Sequence, residues 1–169
     1  ISIFILPCLL RANEGELKPN IIFILADDLG VGDVECYGGK RCLIKTPNID
    51  ALASSGLRFT DAYVNASICG PTRRAIMTGR YPWRFGATTN NGPWGFCGPR
   101  PNTDKSTLGK LLKRAGYVTG YIGKWHLGTI MQTLDGKKQG LNNVDFDKPL
   151  IHGPVQYGFD YSFILPGSL

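Results

Sequence analysis

The chain has 169 residues, 43% of them hydrophobic and 19% charged, with a formal net charge of +6. That length holds one domain of ordinary size, and the lack of repeats or low-complexity tracts sets aside solenoid, fibrous and disordered classes. The basic residues are spread along the chain and do not interleave with aromatics, which argues against nucleic-acid binding; a basic soluble surface or attraction to an anionic substrate remains.

Residues 1–15, ISIFILPCLLRANEG, are an apolar run followed by Arg and small or polar residues. The run is too short to span a bilayer and matches the core and cleavage zone of a secretory signal peptide, with a buried N-terminal strand as the alternative. Export to a periplasmic, secreted or lysosome-like compartment is the expectation. Cys8 would leave with that segment, and Cys36, Cys42, Cys69 and Cys97 remain. In an oxidising compartment Cys36 and Cys42 could pair across a short loop, although sequence does not fix connectivity. No CxxC occurs, and two histidines are too few for a zinc site of the usual spacing.

From residue 19 onward the pattern is one of alternating strands and helices. Ile21 to Leu25 is a continuous apolar run, as expected of a central parallel strand covered on both faces. Thr46-Pro47 opens a helix with Thr46 as N-cap; Ile49, Leu52 and Ala53 form its stripe and Gly56 ends it. Leu57 to Val64 reads as a second strand. Pro71, at a first helical position, starts another helix that Gly79 stops. Residues 82–105, rich in Pro, Gly and Asn, form a long loop, and loops of that length in compact domains are often functional. Leu108, Leu111, Leu112 and Ala115 have helical spacing, with Lys113 and Arg114 in the last turn and Gly116 as cap. Tyr117 to Trp125 is a third strand, 129–155 is irregular, and Tyr157 to Leu165 is a fourth strand. The expected fold class is α/β, a mostly parallel central sheet flanked by helices. The chain stops at Leu169 just after the last strand, so that sheet is expected to be incomplete.

Three places could carry chemistry. Asp27 and Asp28 follow the first strand, where ligands gather in parallel α/β sheets. Adjacent carboxylates repel, so a hard divalent cation, calcium or magnesium, suits them; turn and cap hydrogen bonds are the commoner use of such a pair. In GKWHLG, at 123–128, an extended backbone would turn Lys124 and His126 to one side and Trp125 to the other. Lys and His converging at a strand end could bind an oxyanion and move protons, and an exposed Lys beside a structural His is equally compatible. In CGPTR, at 69–73, Cys69 sits at a helix N-terminus, where unpaired N–H groups and positive potential favour anions. Arg73, about a turn further in, can reach back toward position 69; taken alone, this is more commonly a buried cysteine near a turn.

Together, PNIIFILADDLGVGDVECYGG, CGPTRRAIMTGR and GYVTGYIGKWHLG, in that order, resemble the formylglycine-dependent sulfatases of the alkaline-phosphatase superfamily. TPNIDALASSGLRFTDAY and YGFDYSF are also similar to stretches of that family, and the likeness runs from about Pro19 to the end, the N-terminal part of a catalytic domain. The joint match is far more specific than any one piece. The resemblance implies an alkaline-phosphatase-like α/β fold and a sulfuric ester hydrolase of arylsulfatase type. It implies that a dedicated formylglycine-generating enzyme acts on the unfolded chain and oxidises Cys69 to Cα-formylglycine, whose hydrate provides the nucleophile. It further implies that Asp27, Asp28 and residue 69 ligate Ca²⁺, with Mg²⁺ as the alternative ion. Arg73 would steady residue 69, Lys124 would bind the sulfate of an aryl or carbohydrate sulfate ester, and His126 would hydrogen-bond the hydrated aldehyde. The family also uses a later Asp-Asn or Asp-Gln pair and a second Lys and His, which no stretch here matches, so residues 1–169 alone are expected to be inactive. Alternatives are a phosphodiesterase or phosphonate hydrolase on the same scaffold, a non-enzymatic secreted protein, and, more distantly, a cysteine hydrolase using Cys69 with His126.

Overall fold

The computed structural model describes residues 3–4, 18–86, 89–90, 98, 100 and 106–167. Most of the leader-like segment, including Cys8, and Trp94 and Cys97 of the long loop lie outside the described residues. The backbone divides into two compact units, Ile1–Val64 and Asn65–Leu169.

In the first unit, β1 (Ile3–Phe4) pairs antiparallel with β2 (Ile24–Leu25) in the register Ile3 to Leu25. The apolar run at 21–25 is therefore not a buried central parallel strand here. Only two of its residues are paired, and Ile22 is 82% exposed. An all-apolar run signals two covered faces, but the cover must come from strands and helices elsewhere in a chain. A 3₁₀ turn at Val31–Asp33 leads into α1 (Glu35–Gly38), and α2 spans Pro47–Ser55. Thr46 is the N-cap and Gly56 the C-cap of α2, as the sequence predicts. The Thr46 hydroxyl does not cap α2, however: it accepts from the Glu35 N–H at 2.9 Å and lies 3.1 Å from the Asp50 carboxylate, tying α2 to the start of α1. Leu57 to Val64 forms no strand; β-prone residues without a neighbouring strand gain no ladder of hydrogen bonds. Cys36 and Cys42 are free thiols, and Cys42 Sγ donates to the Ile44 carbonyl at 2.9 Å.

The second unit is built round α3 (Cys69–Thr78), α4 (Leu108–Arg114) and a parallel pair, β3 (Gly120–Lys124) and β4 (Tyr161–Leu165). The helix predicted over 108–115 is α4, one residue shorter, with Ala115 and not Gly116 as its C-cap, and with the Thr107 hydroxyl accepting from the Lys110 N–H at its start. Both strands are shorter than expected: Gly120 opens one, and Pro154–Tyr157 folds as a 3₁₀ turn before the other. The core is Met77, Trp125, Leu127, Tyr157 and Phe159, with Ile76, Leu108, Tyr121 and Ile164 packed against it. Edge-on aromatic pairs knit it together, Trp125 with Tyr121 and with Tyr157 at 4.9 Å between ring centroids. On the other face of the strands the register partners Ile122 and Phe163 are 76% and 72% exposed. Gly109 of α4 sits against the 3₁₀ turn so closely that a Cβ there would lie 2.6 Å from the Tyr157 carbonyl oxygen.

Candidate active site

The site in the second unit is assembled from the two ends that α3 and β3 present to each other. Cys69 is the first residue of α3, one step inside the helix, with Ile68 as N-cap. The expectation had Pro71 at the first helical position and Cys69 just outside. The helix instead starts two residues earlier, which Pro71 tolerates because N–H groups of the first turn have no intrahelical acceptor. Residues 70 to 75 of α3 are buried, and its C-terminal stop, Gly79, has φ 64° as predicted.

Cys69 Sγ lies 3.2 Å from Nδ1 of His126 and 3.4 Å from Oδ1 of Asn90. The Gly70 N–H also donates to Asn90 Oδ1, at 2.9 Å. His126 is 3% exposed, and its backbone N–H donates to the Pro166 carbonyl at 3.0 Å. Its φ of 54° is the one positive value at a non-glycine among the described residues. The alternation argument from the sequence therefore stops at Lys124, where β3 ends. A left-handed turn, not an extended strand, brings the imidazole to Cys69. That conformation costs an ordinary residue about 1–2 kcal/mol, and such outliers concentrate at functional sites. Trp125 faces the core as expected: it is fully buried and its Nε1–H donates to the Gly128 carbonyl at 2.9 Å.

Arg73 is 6% exposed, and its guanidinium donates to the Lys124 carbonyl and to the Tyr121 hydroxyl, the latter at 3.1 Å. The Tyr121 hydroxyl in turn donates to the same Lys124 carbonyl at 2.6 Å. Arg73 thus joins the first turns of α3 to the end of β3, fixing the segment from which His126 follows. Burial pushes the Tyr121 phenol above its ordinary value, with Arg73 pulling the other way, so the hydroxyl stays a donor at neutral pH. Lys124 ends β3 with its side chain half-buried.

Asp27 and Asp28 belong to the first unit, directly after β2, and both are exposed. Their four carboxylate oxygens suit a hard divalent cation, but two carboxylates are well short of the roughly six to eight oxygens calcium takes. Among the described residues no three His, Cys, Asp or Glu side chains gather into a metal-holding group. His152, on the irregular segment, is edge-on to Tyr157 at 5.8 Å, and burial and Lys110 hold its imidazole below the ordinary value. A depression lined by Gly79, Arg80, Tyr81 and Arg84 lies past the C-terminal end of α3, at the opposite end from Cys69.

Sequence reasoning missed Tyr121 and Asn90. Tyr121 is marked only by its place three residues before Lys124. Asn90 lies in a polar loop where nothing local distinguishes it from Asn91.

The sulfatase family model matches residues 19–164. An N-acetylgalactosamine-6-O-sulfatase of Bacteroides thetaiotaomicron is 42% identical over 93% of this chain and 28% of its own length. Human steryl-sulfatase is 44% identical over 86% of the chain and 23% of its own. A solved structure described under metabolism of multiple glycosaminoglycans by Bacteroides thetaiotaomicron superposes with a TM-score of 0.75 at 40% identity, covering 89% of this chain and 29% of that one. Ps i-CgsB in complex with k-i-k-neocarrahexaose superposes with a TM-score of 0.62 at 40% identity, covering 84% and 27%. These matches support the α/β, alkaline-phosphatase-like class, of which the parallel β3–β4 pair and its flanking helices are part. The chain spans about a quarter of the length of the curated relatives it matches. It belongs to the sulfatase family.

Proposed function

We propose that the protein containing this chain hydrolyses sulfuric esters, with residue 69 as the nucleophile after conversion of Cys69 to Cα-formylglycine. The observation that carries this reading is Cys69 at the first residue of α3 with His126 Nδ1 3.2 Å from its sulfur, inside a family-matching segment. In that contact the sulfur stands where a hydroxyl oxygen of the hydrated aldehyde would be. The hydrated aldehyde would supply two hydroxyls at position 69, one as nucleophile toward the sulfate sulfur while the alcohol leaves, and one whose deprotonation would release sulfate and restore the aldehyde.

The chain's own residues would prepare and steer those events. His126 Nδ1 is within reach to take or return the hydroxyl proton at position 69. The start of α3 would offer positive potential to an anionic ester. Lys124 would add a cation for the sulfate, and Arg73 would hold α3 and the end of β3 in register. The family resemblance gives Asp27 and Asp28 the role of carboxylate ligands to calcium, magnesium being the alternative. That ion would neutralise charge on sulfate oxygens. The substrate would be an aryl or carbohydrate sulfate, since relatives include a steryl-sulfatase, an N-acetylgalactosamine-6-O-sulfatase and a structure in complex with neocarrahexaose. Export, and a signal peptide within residues 1–15, belong to the same reading.

The test uses the full-length protein, co-expressed with a formylglycine-generating enzyme. Mass spectrometry of the tryptic peptide carrying residue 69 should give an aldehyde, and sulfate-ester turnover should be lost on chelation and restored by calcium. An unmodified thiol in an active protein, blocked by alkylation, would replace this reading with a cysteine hydrolase. Faster turnover of phosphate than sulfate esters would replace it with a phosphodiesterase. Residues 1–169 alone should turn over no sulfate ester, since their donors do not fill a calcium shell.

A further inference from the structure

We infer that Asn90 is a positioning residue for the side chain at 69, and that its being neutral is what the reaction needs. The inference rests on the proposed role of residue 69. At the start of α3 the N-cap, Ile68, supplies no side-chain acceptor. The first N–H groups of a helix lack intrahelical partners. The Gly70 N–H finds one in Asn90 Oδ1 at 2.9 Å, an oxygen delivered from 20 positions further along the chain. The same oxygen accepts from Cys69 Sγ at 3.4 Å, using its second lone pair. Residue 69 is therefore held between two partners, Asn90 Oδ1 and His126 Nδ1. Because Gly70 pins the carboxamide oxygen, that oxygen keeps its place while the group at position 69 changes.

Helix electrostatics alone would select a carboxylate for this position, since a negative charge stabilises a helix N-terminus. The residue present is the neutral isostere. A carboxylate there would cap α3 at least as well, but would stand beside the atom that an anionic ester must approach. The choice of Asn over Asp separates a cap from a cap compatible with an anionic substrate.

The test compares Asn90→Ala and Asn90→Asp in the full-length protein, with aldehyde content at position 69 measured and used to normalise rates. Hydrogen exchange at the Gly70 amide reads the cap, and kcat and KM on a small aryl sulfate read the reaction. Asn90→Ala should speed exchange at Gly70 about tenfold or more and lower kcat at unchanged aldehyde content. Asn90→Asp should keep Gly70 protected and keep Tm, yet lower kcat/KM about tenfold or more, mainly through KM. A purely structural cap predicts the same protection for Asn90→Asp but wild-type kinetics, and that result overturns the inference. Unchanged exchange in Asn90→Ala would overturn it as well. If wild-type protein carries no aldehyde and turns over no sulfate ester, the proposed function has failed. Exchange at Gly70 in Asn90→Ala still tests the cap independently.

Discussion

Cys69 and His126 are 57 positions apart, yet Sγ and Nδ1 meet at 3.2 Å. The contact exists because α3 is buried along residues 70 to 75 and because β3 ends one turn of backbone before the imidazole. Both ends are held by Arg73, whose guanidinium bonds the carbonyl that closes β3. The pair depends on packing several residues away from either partner.

His126 occupies left-handed backbone, so the informative replacement keeps that conformation. Asn tolerates φ near 54° better than most residues, so His126→Asn should fold while losing the imidazole. Under the proposed function its kcat on a sulfate ester should fall by about 10²–10⁴-fold, the range for a lost general acid or base. Aldehyde content at residue 69 should be unchanged. Steady-state kinetics beside mass spectrometry check both, and wild-type kcat would remove His126 from the chemistry.

Tyr121→Phe keeps the ring against Trp125 and Phe159 but deletes the hydroxyl shared by Arg73 and the Lys124 carbonyl. Leaving those partners short of a hydrogen bond should cost about 1–3 kcal/mol in chemical denaturation. Arg73→Lys should cost at least as much, because a single ammonium does not reproduce a guanidinium serving two acceptors.

Gly158 has φ 97°, and a Cβ there would lie 2.3 Å from the Lys110 backbone nitrogen. Neither the backbone conformation nor the neighbouring helix backbone can yield cheaply. Gly158→Ala should therefore destabilise by about 2–4 kcal/mol, seen as a lower denaturation midpoint. A change within error would mean that α4 moves away from the turn at little cost.

Asp160 accepts from Lys113 and from the Thr119 N–H at 3.0 Å, and these partners hold its carboxyl below the ordinary value of 3.8. A carboxyl whose folded value is depressed stabilises the fold fully above its unfolded value, and that contribution disappears as pH falls through the folded value. The stability gap between wild type and Asp160→Asn should thus be constant above about pH 5 and close progressively as the pH drops below about 4. Urea melts across that range test the sign: a gap that widens on acidification would contradict it.

Much of the local structure was legible because its signals are local. Thr46 and Gly56 bracket α2 and Gly79 ends α3, each through signals within a few residues. The residues proposed to carry chemistry, Asp27, Asp28, Cys69, Arg73, Lys124 and His126, could be named from sequence because their motifs are contiguous. Strands were read less well. The runs at 21–25 and 57–64 have the composition of strands, but a strand exists only where another chain segment supplies its hydrogen bonds.

By itself, then, the sequence determined which side chains are available, where α2 starts and stops, where α3 ends, and the family to which the chain belongs. The tertiary structure decided which of those side chains meet. It replaced a strand by a left-handed turn at His126, sent Arg73 to Tyr121 and the end of β3, and delivered Asn90 to the start of α3. Each of these depends on contacts between residues 20 to 57 positions apart. Local propensity carries no term for such distances, which only the packing of a shared core fixes.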